Sequence, residues 1–181
     1  MFTHSGLVLS MKTQANYFDR ADSFGWISIL LHWITAITII VLWFLGKSIE
    51  FQADAAVDDR RWLHVTIGLI AWLPLAARIG WRLWSGHPRA QGQTARVHLL
   101  AQIAHYAMLV MLGLMICSGP VLAWTLAEGG ALARFAHQVH ETTANLLLAL
   151  ILLHILAALK HLMFHSDETI ARIFVPKRES P

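Results

Sequence analysis

Four stretches of this 181-residue chain contain no Asp, Glu, Lys or Arg: 23–46, 62–77, 97–127 and 142–159, of 24, 16, 31 and 18 residues. A helix that crosses the hydrocarbon of a bilayer needs about 20 predominantly apolar residues. The first and third stretches meet that length as they stand. The second reaches it if Arg78 and Arg82 run their aliphatic stems along the apolar layer, which extends the span through Trp84. The fourth extends back through His140 and Glu141 and forward past Lys160. The pattern therefore predicts four helices, at about 26–46, 62–84, 97–125 and 137–165. The fold class expected is all-α, an integral membrane four-helix bundle of up-and-down topology. One membrane domain, 26–165, lies between an N-terminal segment, 1–25, and a tail, 166–181.

Composition agrees with these windows. Only 14% of the residues are charged and 56% are hydrophobic, with a mean hydropathy of +0.54. A soluble domain carries about a quarter of its residues charged, so a water-facing surface cannot be covered here. Six tryptophans (Trp26, Trp43, Trp62, Trp81, Trp84 and Trp124) fall near proposed helix ends, where indoles favour the membrane interface. Trp33 and Trp72 sit deeper. The net charge of +3 implies topology rather than nucleic-acid binding, because no soluble base-reading module fits this composition. Ten of the fourteen basic residues (Lys12, Arg20, Arg78, Arg82, Arg89, Arg96, Lys160, Arg172, Lys177 and Arg178) fall on one side of the four spans. Lys47, Arg60, Arg61 and Arg134 fall on the other. By the positive-inside rule both termini are expected in the cytoplasm. Residues 1–10 lack the basic region and the long apolar core of a signal peptide, and either Met1 or Met11 serves as the start. A single cysteine, Cys117, excludes an internal disulfide and reads as a small core residue.

Histidine is the unusual residue, with eleven copies. Ionisable side chains within a span are costly and mark functional sites. His32, His64, His105, His140 and His154 lie within the proposed spans. His140 and His154 are fourteen residues apart, which brings them within about 40° of the same helix face and about 21 Å apart along the axis. His137 lies about 100° from His154 by the same arithmetic and belongs to the interface. Chain direction then matches levels: His32 with His154 towards the cytoplasmic side, His64 with His140 towards the periplasmic side. Paired histidines across a bundle core are what bis-imidazole haem ligation requires. Two pairs at opposite levels do not assemble a tetrahedral zinc site, and the absence of C-x-x-C-H excludes covalent c-type haem. Gly68, one turn from His64, leaves room either for a macrocycle or for close helix packing. His98 and His105 share a face of the third span but lack level-matched partners.

The segment His140-Glu-Thr-Thr-Ala-Asn145 through His154-Ile-Leu-Ala-Ala-Leu-Lys160-His161, followed by Asp167-Glu-Thr-Ile-Ala-Arg172, resembles the last helix and tail of the bacterial di-haem cytochrome b561 family. Leu31-His32-Trp33, Leu63-His64-Val65 and Ile103-Ala-His105-Tyr106 are similar to its other helices. The resemblance spans about 24–178 and implies that His32, His64, His140 and His154 ligate two b-type haems. It further implies an inner-membrane electron carrier with ubiquinone as its lipid partner; some relatives oxidise superoxide at the periplasmic face, and others resemble haem-bearing anchors of larger dehydrogenases or hydrogenases. The connection between the last two spans, about 127–136, is shorter than in relatives with an elaborated outer loop.

Three functional readings follow. The first is a quinone-linked oxidoreductase, passing electrons between a periplasmic donor, superoxide among the candidates, and ubiquinone. Arg78, Arg82, His98, His105 and Lys160 are then candidates for quinone or propionate contacts, and Arg60, Arg61 and Arg134 for an outer anion site. The second is an anchor subunit that works only with a redox partner, and the third a haem-free, histidine-rich transporter.

Overall fold

The computed structural model describes residues 16–21, 23–49, 54–86, 88, 94–165 and 173–176. Met1 and Met11, and the basic residues Lys12, Arg89, Arg172, Lys177 and Arg178, lie outside them. The described residues form four helices and no strand: α1 (Trp26–Ile49), α2 (Asp54–Ser85), α3 (Ala95–Thr125) and α4 (Gly130–His165). Each contains a stretch long and apolar enough to cross a membrane, of 24, 29, 31 and 31 residues respectively. Neighbours in sequence pack side by side, α1 on α2, α2 on α3 and α3 on α4, as short connections between long helices dictate.

Two helices start earlier than their charge-free windows. α2 runs from Asp54 rather than about residue 62, and α4 from Gly130 rather than about 137. Absence of charge marks the part of a helix at hydrocarbon depth, not its hydrogen-bonded end. The first turns of α2 carry Asp58, Asp59, Arg60 and Arg61, and Arg61 pairs with Asp58 at 3.1 Å along one helix face. In α4 the added turn is built on alanine, with Ala133 and Ala136 buried. The α3–α4 connection is thereby reduced to Leu126–Gly129. Gly129 and Gly130 make this reversal at φ of 70° and 88°, a region that side chains with a Cβ avoid.

The packing is that of a protein solvated by lipid. Among the described residues, the buried hydrophobics are Ile29, Ala71, Leu75, Leu112, Ala133, Ala136 and Leu147, most of them small or aliphatic. One more polar residue than that is buried: Ser23, Ser28, Thr35, Arg78, Arg82, Ser118, Thr125 and Thr143. Large apolar side chains point outwards instead, Trp124, Trp84, Ile70 and Leu73 among them. Lipid tails are as apolar as leucine, so burying such residues gains little here, while polar groups must find partners inside.

Pro120 shows that rule at a single atom. Proline has no N–H to donate four residues back, which releases the carbonyl of Ile116 from the α3 ladder. The Trp72 indole of α2 donates to that carbonyl at 3.0 Å. This explains why a tryptophan sits well inside the span rather than at the interface.

Removing the indole donor by Trp72→Phe should cost about 0.5–1.5 kcal/mol, the range for hydrogen bonds between membrane helices. In the double variant Trp72→Phe/Pro120→Ala the restored N–H of residue 120 pairs with the Ile116 carbonyl, so part of the loss should return. Thermal unfolding in detergent measures both, and strictly additive losses would contradict this account of the Ile116 carbonyl.

Candidate functional site

At the end of the bundle where α1 meets α2, His64 and His140 face each other with ring centroids 6.2 Å apart and planes at 84°. Each ring lies against a glycine of a neighbouring helix. A Cβ built on Gly46 of α1 would lie 3.3 Å from Cε1 of His64, and one on Gly119 of α3 would lie 3.2 Å from Cε1 of His140. Any side chain there would displace the imidazoles. Nδ1 of His140 lies 3.0 Å from Ser118 Oγ. His64 Nδ1 is buried near the Leu42 carbonyl without a hydrogen bond of good geometry.

Between these rings and the four helices lies a cavity of about 360 Å³, within the usual range for small-ligand sites. Its apolar walls include Leu42, Trp43, Val65, Trp72 and Leu147. Gly68 opens onto it, and a Cβ at Gly68 would meet nothing within 4 Å. At its mouth Lys47 pairs with Glu141 at 3.4 Å, and His137 lies 3.9 Å from the same carboxylate. Among the described residues no group of three or more His, Cys, Asp or Glu gathers to cage a bare metal ion. Two opposed imidazoles instead suit an iron whose remaining ligands come from a macrocycle. An apolar cavity, two facing imidazoles and a glycine wall fit a haem.

The second group forms near the opposite end. His105 of α3 and His154 of α4 lie 4.9 Å apart, centroid to centroid, at 82°. Nδ1 of His105 sits against the Ala101 carbonyl of its own helix, an acceptor only, so Nδ1 carries the proton. His32 of α1 is close enough to His154, His105 and Arg78 to interact with them electrostatically. It also stacks edge-on against Trp33 at 5.5 Å. Trp33 in turn holds the tail: its indole donates to the Ile173 carbonyl at 3.0 Å and its ring lies 5.0 Å from Phe174. Sequence spacing placed His105 on the same face as His98 but left it without a partner; folding supplies His154.

Five further residues matter that spacing alone did not mark. Asp19 and Ser28 join Arg82 in a buried cluster. Arg82 and Asp19 are each 4% exposed and pair at 3.3 Å; Asp19 also accepts from Ser28 Oγ at 2.7 Å and from the Gly25 amide at 2.8 Å. Arg82 further donates to Ser28 Oγ at 3.2 Å and to the Gly86 carbonyl, and its guanidinium lies 5.2 Å from the Phe24 ring centre. Trp81 donates to Ser28 Oγ at 2.7 Å. Arg82 is thus taken up in pinning the segment before α1 onto the end of α2. Arg78, one turn deeper, donates to the Ser28 carbonyl at 3.4 Å and keeps its charge beside His32, His105 and His154. The other three are Gly46, Gly119 and Ser118. A local Ser118-Gly119-Pro120 triplet was the available signal, and only the fold shows that it faces a histidine.

The remaining candidates are more peripheral. His98 is half-buried in the first turn of α3, and Lys160 is exposed near the end of α4. Arg61 lines the cavity mouth, whereas Arg60 and Arg134 are exposed.

Comparison with known proteins gives concordant results. The family model described as prokaryotic cytochrome b561 matches residues 23–176. Cytochrome b561 homolog 2 of Escherichia coli (strain K12) is 27% identical over 177 residues, covering 87% of this chain and 94% of that protein. Cytochrome b562 of Cereibacter sphaeroides is 28% identical over 157 residues, covering 83% and 94%. No solved structure gives a significant match.

The Asp19–Arg82 pair carries a direct prediction. Asp19→Asn leaves a buried guanidinium without its counter-charge, a change that costs about 3–5 kcal/mol when a buried pair is broken. A shift below about 1 kcal/mol in unfolding free energy, the value of an exposed pair, would show that this end of the bundle is open to water.

Proposed function

This chain belongs to the prokaryotic cytochrome b561 family, and from that premise we propose that His64 with His140, and His32 with His154, hold two haem b groups through which it passes electrons between a periplasmic donor and ubiquinone. Family and fold make it a multi-pass protein of the bacterial inner membrane and a haem b electron-transfer protein. The observation that carries the finer reading is the opposed pair His64 and His140, 6.2 Å apart across an apolar cavity.

Haem b supplies reversible one-electron exchange at its iron when bound. A haem held by a histidine pair would have no site left for oxygen, so the pair would favour electron transfer. His140 and His154, on one face of α4, keep the two sites about 21 Å apart along the helix, one near each side of the membrane. The lysine and arginine distribution favours an orientation with the His64 end outside and the His32 end inside. Arg78, buried beside the inner histidines, offers a fixed positive charge to a carboxylate of the cofactor or to a quinone oxygen. Arg82 supports that end through Asp19. At the outer end Arg60, Arg61 and Arg134 give a basic rim that draws small anions, superoxide among them, towards His64.

Haem counting tests the ligand set. The purified parent should carry two haems per chain, His140→Ala and His154→Ala should each lose a different one, and His32→Ala should lose the same one as His154→Ala. His105→Ala should retain both. Loss of a haem with His105→Ala but not with His32→Ala would transfer the inner ligand to α3, and full retention in His140→Ala would refute the outer pair.

A further inference from the structure

The two imidazoles at the outer site are not equivalent, and the difference lies in one hydroxyl. Ser118 is buried on α3 and faces His140, with Oγ 3.0 Å from Nδ1. Its own proton is committed within its helix, donated to the Leu114 carbonyl at 2.7 Å, with the Met115 carbonyl at 3.4 Å as the second acceptor. Such back-bonding to the preceding turn is common for serine in helices and explains the Leu114 contact by itself. It does not explain the imidazole at hydrogen-bond distance, which has a consequence for the proton. A serine hydroxyl has one proton and two lone pairs. With that proton on a carbonyl, only a lone pair faces His140, so Nδ1 must carry the hydrogen and donate it. Nε2 then holds the free electron pair.

We infer that Ser118 is the positioning residue for His140: its hydroxyl fixes the Nδ1–H tautomer, orients the ring against Gly119, and strengthens Nε2 as an electron donor to the iron. The inference rests on the reading that His140 is a haem ligand. Partners of this kind hold a metal-bound imidazole in one orientation and raise its basicity. The chain Nδ1–H to Oγ–H to the Leu114 carbonyl polarises along its length, which makes the hydroxyl a better acceptor than an isolated one. His64 Nδ1 has only the poorly placed Leu42 carbonyl nearby, so the two histidines of this site are unequally supported. A more basic ligand favours the ferric state, and Ser118 therefore holds the potential of the outer haem down.

The test is a redox titration of the purified protein, followed optically, for the parent, Ser118→Ala and Ser118→Thr. Ser118→Ala should move the redox equilibrium of one haem towards the reduced form by about three- to tenfold, the upper value equal to 59 mV for one electron, and leave the other haem unmoved. Ser118→Thr keeps a hydroxyl able to bond the preceding turn and should titrate as the parent does. Unchanged potentials in a fully loaded Ser118→Ala would overturn the inference, as would an equal shift in Ser118→Thr, which would assign the effect to shape. If Ser118→Ala loses haem, Ser118→Thr decides: retention at the parental potential supports the hydroxyl and loss refutes it. Full haem retention in His140→Ala would remove the underlying reading and this inference with it. A His140-dependent haem with a silent Ser118→Ala refutes the inference alone.

Discussion

Polar groups inside this bundle are met by one another rather than by water, with Thr35 Oγ1, Trp43 Nε1 and His64 Nδ1 as exceptions among the described residues, and that one constraint arranges the rest. In hydrocarbon an unpaired donor or acceptor costs several kcal/mol, so the interior carries the polar residues and the surface carries the large apolar ones. The Ile116 carbonyl released by Pro120 is met by Trp72. Arg82 is met by Asp19, Ser28 and Gly86. The same demand applied to imidazoles produces the site. Histidines inside a membrane must be turned towards one another, towards a hydroxyl, a carbonyl or a metal.

Spacing along the helices decides which histidines meet. Four antiparallel helices bring the start of α2 beside the start of α4, and the interval between His140 and His154 is close to four helical turns. One helix therefore serves both ends of the bundle with the same face. Glycines complete the arrangement from the neighbouring helices: Gly46 and Gly119 let the His64 and His140 rings lie closer than a side chain would leave them. The result is an apolar cavity bounded by two imidazoles, with the Lys47–Glu141 pair at its mouth and a buried arginine, Arg78, at the other group of histidines.

Much of this was legible before any coordinates. The four spans, their up-and-down order and the levels at which His32, His64, His140 and His154 stand follow from where charges are absent and from helix geometry. What could not be read depends on rotation about each helix axis and on contacts between helices. Helix ends are one example: Asp58 to Arg61 belong to α2 although they ended the apolar window. His105 is another, since its neighbour His154 comes from a different helix. Asp19 lies in the N-terminal segment before the first span, where spacing says nothing of it, yet it is buried against Arg82. Ser118 is a small residue inside an apolar run, and its role requires knowing that α3 packs on α4 with this face towards His140.

The central claim is that paired imidazoles ligate the iron in this bundle, and the electronic state of that iron is its most direct witness. Electron paramagnetic resonance of the air-oxidised, purified protein should show ferric haem entirely in low-spin form, because two imidazoles complete the coordination of each iron. A predominantly high-spin ferric signal would mean an open or weakly filled axial position and would contradict the paired-histidine account.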